Sequence, residues 1–138
     1  MKITIKRIIP HESAEVKKFL AAAPQSLKTF RYFSSRPLSI LKDHLLTLLA
    51  YDGPDPCGYG HLDQDGDKIW LGICVADSFV KQGIGTRLMV ELVGFADAHK
   101  LQVQLSVDSD NSDAIHLYKK FKFRHQQGEG PTTFMRRE

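Results

Sequence analysis

At 138 residues the chain has the size of one ordinary domain, and its 42% hydrophobic and 25% charged content excludes disordered and collagen-like classes. The formal charge of +3, from 19 basic and 16 acidic residues, is too small and too dispersed for a nucleic-acid binder, which gathers Lys and Arg into stripes; it suits an anionic ligand. No run approaches the roughly 20 apolar residues a membrane span needs.

In chain order, Ile3 and Ile5 alternate with Lys2, Thr4 and Lys6, which reads as a half-buried strand ending near Pro10 and not as a signal peptide. A helix follows, with Ser13 as its cap, Glu12 and Glu15 at its positive end, and Val16, Phe19, Leu20 and Ala23 as its apolar face before Pro24. Leu27, Phe30 and Phe33 point to a second short helix, and Ser34 to Pro37 to a loop. From His44 the pattern becomes sheet-like. Leu45 to Tyr51, Cys57 to Leu62 and Lys68 to Val75 form an antiparallel meander, turning at Asp52 to Pro56 and at Asp63 to Asp67. Gly72, inside the third of these strands, marks a bulge or a close approach to the backbone.

At the end of that strand Val75 leads into Val80-Lys-Gln-Gly-Ile-Gly85, and a helix to about Ala98 follows, with Ile84, Leu88, Leu92 and Phe95 at helical spacing. Gly83 and Gly85 sit at the junction. Glycines allow a sharp turn and close approach, and the first amides of a helix have no partner within it; donors and dipole together suit a phosphate. Leu101, Val103, Leu105 and Val107 then alternate with polar residues. This strand should pair in parallel with the one before the cradle, because a crossover helix joins parallel strands. Asp108 to Asp113 form a loop and cap cluster before a helix whose face is Ala114, Leu117, Tyr118 and Phe121. Phe121 to Gln126 and Thr132 to Arg137 close the sheet, joined through Gly128-Glu-Gly-Pro131.

Together, the strand ending Ile73-Cys-Val75, the turn Val80 to Gly85 with its helix opening Thr-Arg-Leu-Met, and Asn111-Ser-Asp-Ala-Ile-His-Leu-Tyr118 before Phe121-Lys-Phe123 resemble the GNAT superfamily of acetyl-coenzyme-A-dependent N-acyltransferases. The resemblance covers the order of elements along the whole chain. It implies one N-acetyltransferase domain over residues 1–138: an α/β (α+β) fold with a mixed, mostly antiparallel sheet of six or seven strands, a central splayed parallel pair and about four flanking helices. The turn departs from the family pattern, with Val80 where Arg or Gln is usual and Lys81 where another glycine is common. The cradle tolerates this because its donors are main-chain amides.

The resemblance further implies acetyl-CoA as co-substrate, no metal, and a cofactor site made of Ile73, Cys74, Val75, Lys81, Gln82, Gly83, Ile84, Gly85, Thr86, Asn111 and Tyr118. Ile73 and Val75 match the strand positions that pair with the pantetheine arm. Asn111 matches a side chain that hydrogen-bonds it, and Tyr118 one whose hydroxyl points at the thioester sulfur. An amide near Val75 would meet the carbonyl oxygen. The strand before the cradle lacks the Glu that many relatives use as base. His61 and Asp63, sharing a face with Tyr59, are the catalytic candidates, and His44 is a third. His61 ranks first because an imidazole near pKa 6.5 suits base work at neutral pH.

Each residue also has a plainer reading. Asn111 is equally a helix cap, Tyr118 a core aromatic, and His61 and Asp63 hairpin-end groups. Asp63, Asp65 and Asp67 around Gly66 form a polar turn and not a calcium loop, which needs a Glu where Cys74 stands. Cys57 and Cys74 are read as free thiols, Trp70 as core, and Arg31 and Arg36 as solvated surface or a greeting to an acidic or phosphorylated acceptor. The expected protein is a cytoplasmic monomer or homodimer with no nucleic-acid or membrane partner. Its acceptor is a small-molecule amine, shaped by the loop from Ser26 to His44 and the segment near Gly128. A protein acceptor (N-terminal or lysine) and a non-catalytic CoA-binding regulatory module are the alternatives.

Overall fold

The structure, a computed structural model, describes residues 2–126 and 130–137. Its strands are β1 (Ile3–Arg7), β2 (His44–Asp52), β3 (Asp55–Asp65), β4 (Lys68–Val75), β5 (Val103–Asp108), β6 (Phe123–His125) and β7 (Thr132–Arg137). They form one sheet in the order β1-β2-β3-β4-β5-β7-β6. Only β4 and β5 run parallel; every other neighbouring pair is antiparallel. Three α-helices, α1 (Ser13–Ala21), α2 (Ile84–Ala98) and α3 (Ser112–Lys120), flank it together with 3-10 turns. None of the described helices is long and apolar enough to cross a membrane.

Alternation along the strands sorts the core onto two faces. On one, Val16 and Phe19 of α1 pack with Leu49, Tyr51, Tyr59 and Cys74. On the other, Ile84, Leu88, Met89 and Leu92 of α2 pack against Leu48, Leu62, Leu71, Val103 and Leu105. Fully burying each such side chain contributes about 1.5–3 kcal/mol relative to exposure. Gly58 lets α2 approach closely: a Cβ there would lie 2.7 Å from Cγ2 of Ile84.

Several expectations change in detail. Ser13 is the first helical residue of α1 and not its cap, because a 3-10 turn (Pro10–Glu12) precedes it and the Glu12 carboxylate accepts the Ile9 N–H at 3.1 Å. The helical character expected around residues 27–33 is 3-10, in turns at Ser26–Lys28 and Tyr32–Ser34, with a third at Leu38–Asp43. A distant carboxylate fixes the first of these. Asp77 accepts the Gln25 and Ser26 amides, each at 2.9 Å, and the Ser26 hydroxyl at 3.0 Å. β3 is longer than the expected Cys57–Leu62. Gly128, expected in the final connection and near the acceptor pocket, lies outside the described residues.

The parallel pair is short, and this positions the site. Among the described residues β4 and β5 pair only at Ile69 with Val103 and at Trp70 with Gln104, so β4 has no strand partner there on that side from Leu71 to Val75. The hydrogen-bonding phase of β4 follows from its other neighbour. The Ala76 N–H donates to the Cys57 carbonyl at 2.9 Å, and opposed residues alternate between bonded and non-bonded pairs. Gly58 with Val75 and Gly60 with Ile73 are then non-bonded pairs, so the N–H and C=O of Ile73 and Val75 point away from β3, into the gap.

Candidate active site

A cavity of about 860 Å3 runs from the start of α2, through the gap between β4 and β5, to the loop of residues 26–36. At its first end the chain turns left-handed twice, with Lys81 at φ 61° and Gly83, the N-cap of α2, at φ 83°. Glycine adopts that conformation freely; a side chain at Lys81 pays roughly 1–2 kcal/mol. The Arg87 N–H bonds the Gly83 carbonyl at 3.2 Å, and the amides from Lys81 to Thr86 precede it without a backbone acceptor among the described residues. No side chain among the described residues caps this helix, so donors and dipole are open to an anion.

Asn111 is the N-cap of α3, its Oδ1 accepting the Ala114 N–H at 3.3 Å, and it also lines the cavity. Tyr118 is buried at 7% exposure, its ring packed at 6.0 Å from that of Phe123. Its hydroxyl bonds no described residue, yet among the described residues no fully buried side-chain N or O atom lacks a partner; the hydroxyl therefore meets the cavity. Burial, and then the charge Cys74 would carry, raise the Tyr118 pKa and hold the phenol neutral. The Cys74 thiol, on the same cavity, is pushed up to about 12, chiefly by burial.

At the other end lie the catalytic candidates. His61 is 2% exposed, and burial, then the charges of His44 and Arg36, hold its pKa well below the ordinary imidazole value. Its Nδ1 lies 2.8 Å from the hydroxyl of Tyr59, a residue with no exposure and no other hydrogen-bond partner among the described residues. A buried hydroxyl needs an acceptor, which assigns the Tyr59 O–H to Nδ1 and leaves the ring proton on Nε2. Nε2 has no protein partner among the described residues and forms part of the cavity wall. His61 therefore offers the cavity an N–H, where the sequence suggested a lone pair.

Asp63 is set back from the cavity at 7% exposure and accepts the Tyr32 hydroxyl at 2.8 Å. The same hydroxyl lies 2.8 Å from His44 Nε2, and His44 Nδ1 lies 2.8 Å from the Thr47 hydroxyl. With Tyr32 donating to Asp63, His44 donates to Tyr32 and accepts from Thr47. His44 and Asp63 thus orient Tyr32. Gly72 does not mark a bulge: pairing with β3 runs through it without a register shift, and the close approach is made by the His61 ring.

Tyr32 and Arg36 are the site residues that sequence reasoning underrated. The Arg36 guanidinium lies 4.4 Å from the Tyr32 ring centroid, and its Nη1 donates to the Tyr32 carbonyl at 2.9 Å. Arg31 is different, bound to both carboxylate oxygens of Asp108 at 2.6 and 3.0 Å. The aromatic run Phe30-Arg-Tyr-Phe33 was the available signal.

A family model described as the acetyltransferase (GNAT) family matches residues 13–123, and the chain belongs to that family. It is an acyltransferase by family and fold. Among solved structures it is similar to the ribosomal-protein-S18-alanine N-acetyltransferase from Escherichia coli (TM-score 0.77, 17% identity, 99% of this chain and 93% of that one). It is also similar to the PaiA N-acetyltransferase from Thermoplasma acidophilum in complex with coenzyme A (TM-score 0.77, 18% identity, 100% and 99%). A third is a GNAT superfamily phosphinothricin acetyltransferase from Sinorhizobium meliloti in complex with AcCoA (TM-score 0.76, 18% identity, 99% and 88%). At these identities the likeness is one of fold. No curated protein matches the sequence.

Proposed function

We propose that residues 1–138 form one N-acetyltransferase domain that moves an acetyl group from acetyl-CoA to the amine of a small molecule by direct attack in a ternary complex. The observation that carries this reading is one continuous opening. It joins the unpartnered amides of Lys81 to Thr86, the free backbone edge of Ile73 and Val75, and the free hydroxyl of Tyr118. A diphosphate suits the first, a pantetheine amide the second, and a thioester sulfur the third. Gln82, Ile84 and Gly85 supply amides in the first group, and Asn111 faces the same arm. The two relatives solved with coenzyme A or AcCoA support the choice of donor.

Bound there, acetyl-CoA supplies an activated acetyl group. The Val75 N–H faces the gap, where it meets a developing oxyanion. The acceptor nitrogen must arrive neutral to attack the carbonyl carbon; as its bond to that carbon forms and the C–S bond breaks, the nitrogen gives up its remaining excess proton to water. Tyr118 then protonates the departing thiolate, and the phenolate left behind takes back a proton from water. Burial raises the Tyr118 phenol and the Cys74 thiol on this cavity alike, so the phenol stays protonated and gives up its proton only as negative charge develops on the sulfur. Burial disfavours a second proton on the His61 ring, and we assign its Nε2–H the role of donor to the acceptor in place of base. Asp63 acts through Tyr32. The acceptor loses its first proton to solvent before it attacks. Cys74, whose backbone is turned to Tyr59 of β3, adds only its side chain to the cavity wall and takes no covalent part.

The test is thiol release from acetyl-CoA with a panel of amines, repeated with Tyr118→Phe. Release that depends on an amine and slows in the variant supports the reading. Tight coenzyme A binding with no turnover on any amine would point instead to a non-catalytic binding module.

A further inference from the structure

The acceptor end of the cavity has a chemistry of its own. Its wall is aromatic, formed by Phe30, Tyr32 and Trp70. Two guanidinium groups stand there. Arg31 is neutralised by Asp108, whereas Arg36 has no carboxylate partner among the described residues. Arg36 is also held in place, its guanidinium carbon over the Tyr32 ring and one nitrogen on the Tyr32 carbonyl, while the Tyr32 hydroxyl is fixed by Asp63 and His44. The His61 ring centroid lies 4.3 Å from that of Tyr32, so its Nε2–H belongs to the same wall. A pre-positioned guanidinium without a carboxylate partner among the described residues, with a second N–H on the same cavity and apolar walls between, recognises a planar anion attached to an apolar body.

We propose that the acceptor is an amine that also carries a carboxylate, of the class of an apolar amino acid, and that Arg36 with the Nε2–H of His61 reads the carboxylate. This rests on the acetyltransferase reading of the same site. A peptide N-terminus, whose neighbouring carbonyl is an uncharged amide, would not satisfy Arg36.

Binding and turnover separate the two levels of inference. Phenylalanine, phenylalaninamide and phenethylamine are titrated calorimetrically into the protein saturated with coenzyme A, using wild type, Arg36→Gln and Arg36→Lys. Phenylalanine should bind wild type roughly ten- to hundred-fold more tightly than the other two, the size expected for hydrogen bonds to a charged group. Arg36→Gln should bring that ratio close to one, and Arg36→Lys should restore part of it. Equal binding of the three by wild type, or a ratio unchanged in Arg36→Gln, overturns the proposal. Turnover with acetyl-CoA is then measured on the same three compounds. Arg36-dependent binding without any turnover would leave the carboxylate site standing and remove the acetyltransferase reading alone.

Discussion

Gly72 and His61 face each other across the β3–β4 ladder with no room for a methyl group between them: a Cβ on Gly72 would lie 2.7 Å from His61 Nε2 and 3.0 Å from the Phe30 ring. The missing side chain therefore leaves room for the edge of the His61 ring over the strand and for Phe30 of the acceptor loop beside it. Gly72→Ala must push aside a ring anchored at 2.8 Å to Tyr59, and overpacking of this kind costs about 1–3 kcal/mol. Urea unfolding should show a lower midpoint with an unchanged slope. A midpoint equal to wild type would mean that the ring is not held there.

Tyr118 separates stability from catalysis. Its hydroxyl bonds no described residue while its ring packs on Phe123, so Tyr118→Phe should alter unfolding free energy by less than about 0.5 kcal/mol. It should lower kcat by about 10²- to 10⁴-fold if the phenol protonates the leaving sulfur. Parallel denaturation and steady-state kinetics check both halves. An unchanged kcat would remove the phenol from the reaction.

Buried imidazoles set the acid side of the stability curve. His61 is held well below its usual pKa by burial, then by His44 and Arg36; His44 is lowered by burial, with Asp63 and Asp43 opposing. In both, the unfolded chain binds a proton that the folded chain refuses. Their contribution is present above a pKa of about 6.5 and falls as pH drops below it toward the depressed folded values. Thermal unfolding midpoints should decline between pH 7 and 5, and less steeply in His61→Gln. Equal slopes in the two proteins would show that His61 takes up protons normally when folded.

The pH–rate profile distinguishes the two roles considered for His61. Because the ring stays neutral and presents an N–H, the acidic limb should follow the acceptor's own amine. It should move to lower pH with a less basic acceptor and persist in His61→Gln. A limb fixed near one value for all acceptors and lost in His61→Gln would restore the histidine as base.

Local patterns carried much of this into the sequence. The alternation of β4, the glycines before α2 and the helical spacing of Leu88 and Leu92 are properties of adjacent residues, and they are found where periodicity puts them. So is the Asn111 cap. The acceptor end was less legible, because its geometry is set by residues far apart in the chain. Asp77 organises the turn at Ser26, Asp63 orients Tyr32, and Gly72 makes space for His61. A histidine alternating with Tyr59 and Asp63 gives its face, but its burial depends on Phe30 and Tyr32 folding over it. Arg31 and Arg36 look alike in sequence, and only the fold pairs one with Asp108 and leaves the other on an aromatic ring.

Coenzyme A recognition rests most on the open amides before α2, and calorimetric titration of coenzyme A into wild type and Gly83→Val tests them directly. Gly83 sits at φ 83°, which a β-branched residue resists by roughly 1–2 kcal/mol or more, and a Cβ there meets no atom within 4 Å, so the substitution acts through the backbone. One-to-one binding by wild type, weakened at least about tenfold in Gly83→Val, is the predicted result. Equal affinity in the two proteins, or no binding to wild type, would contradict it.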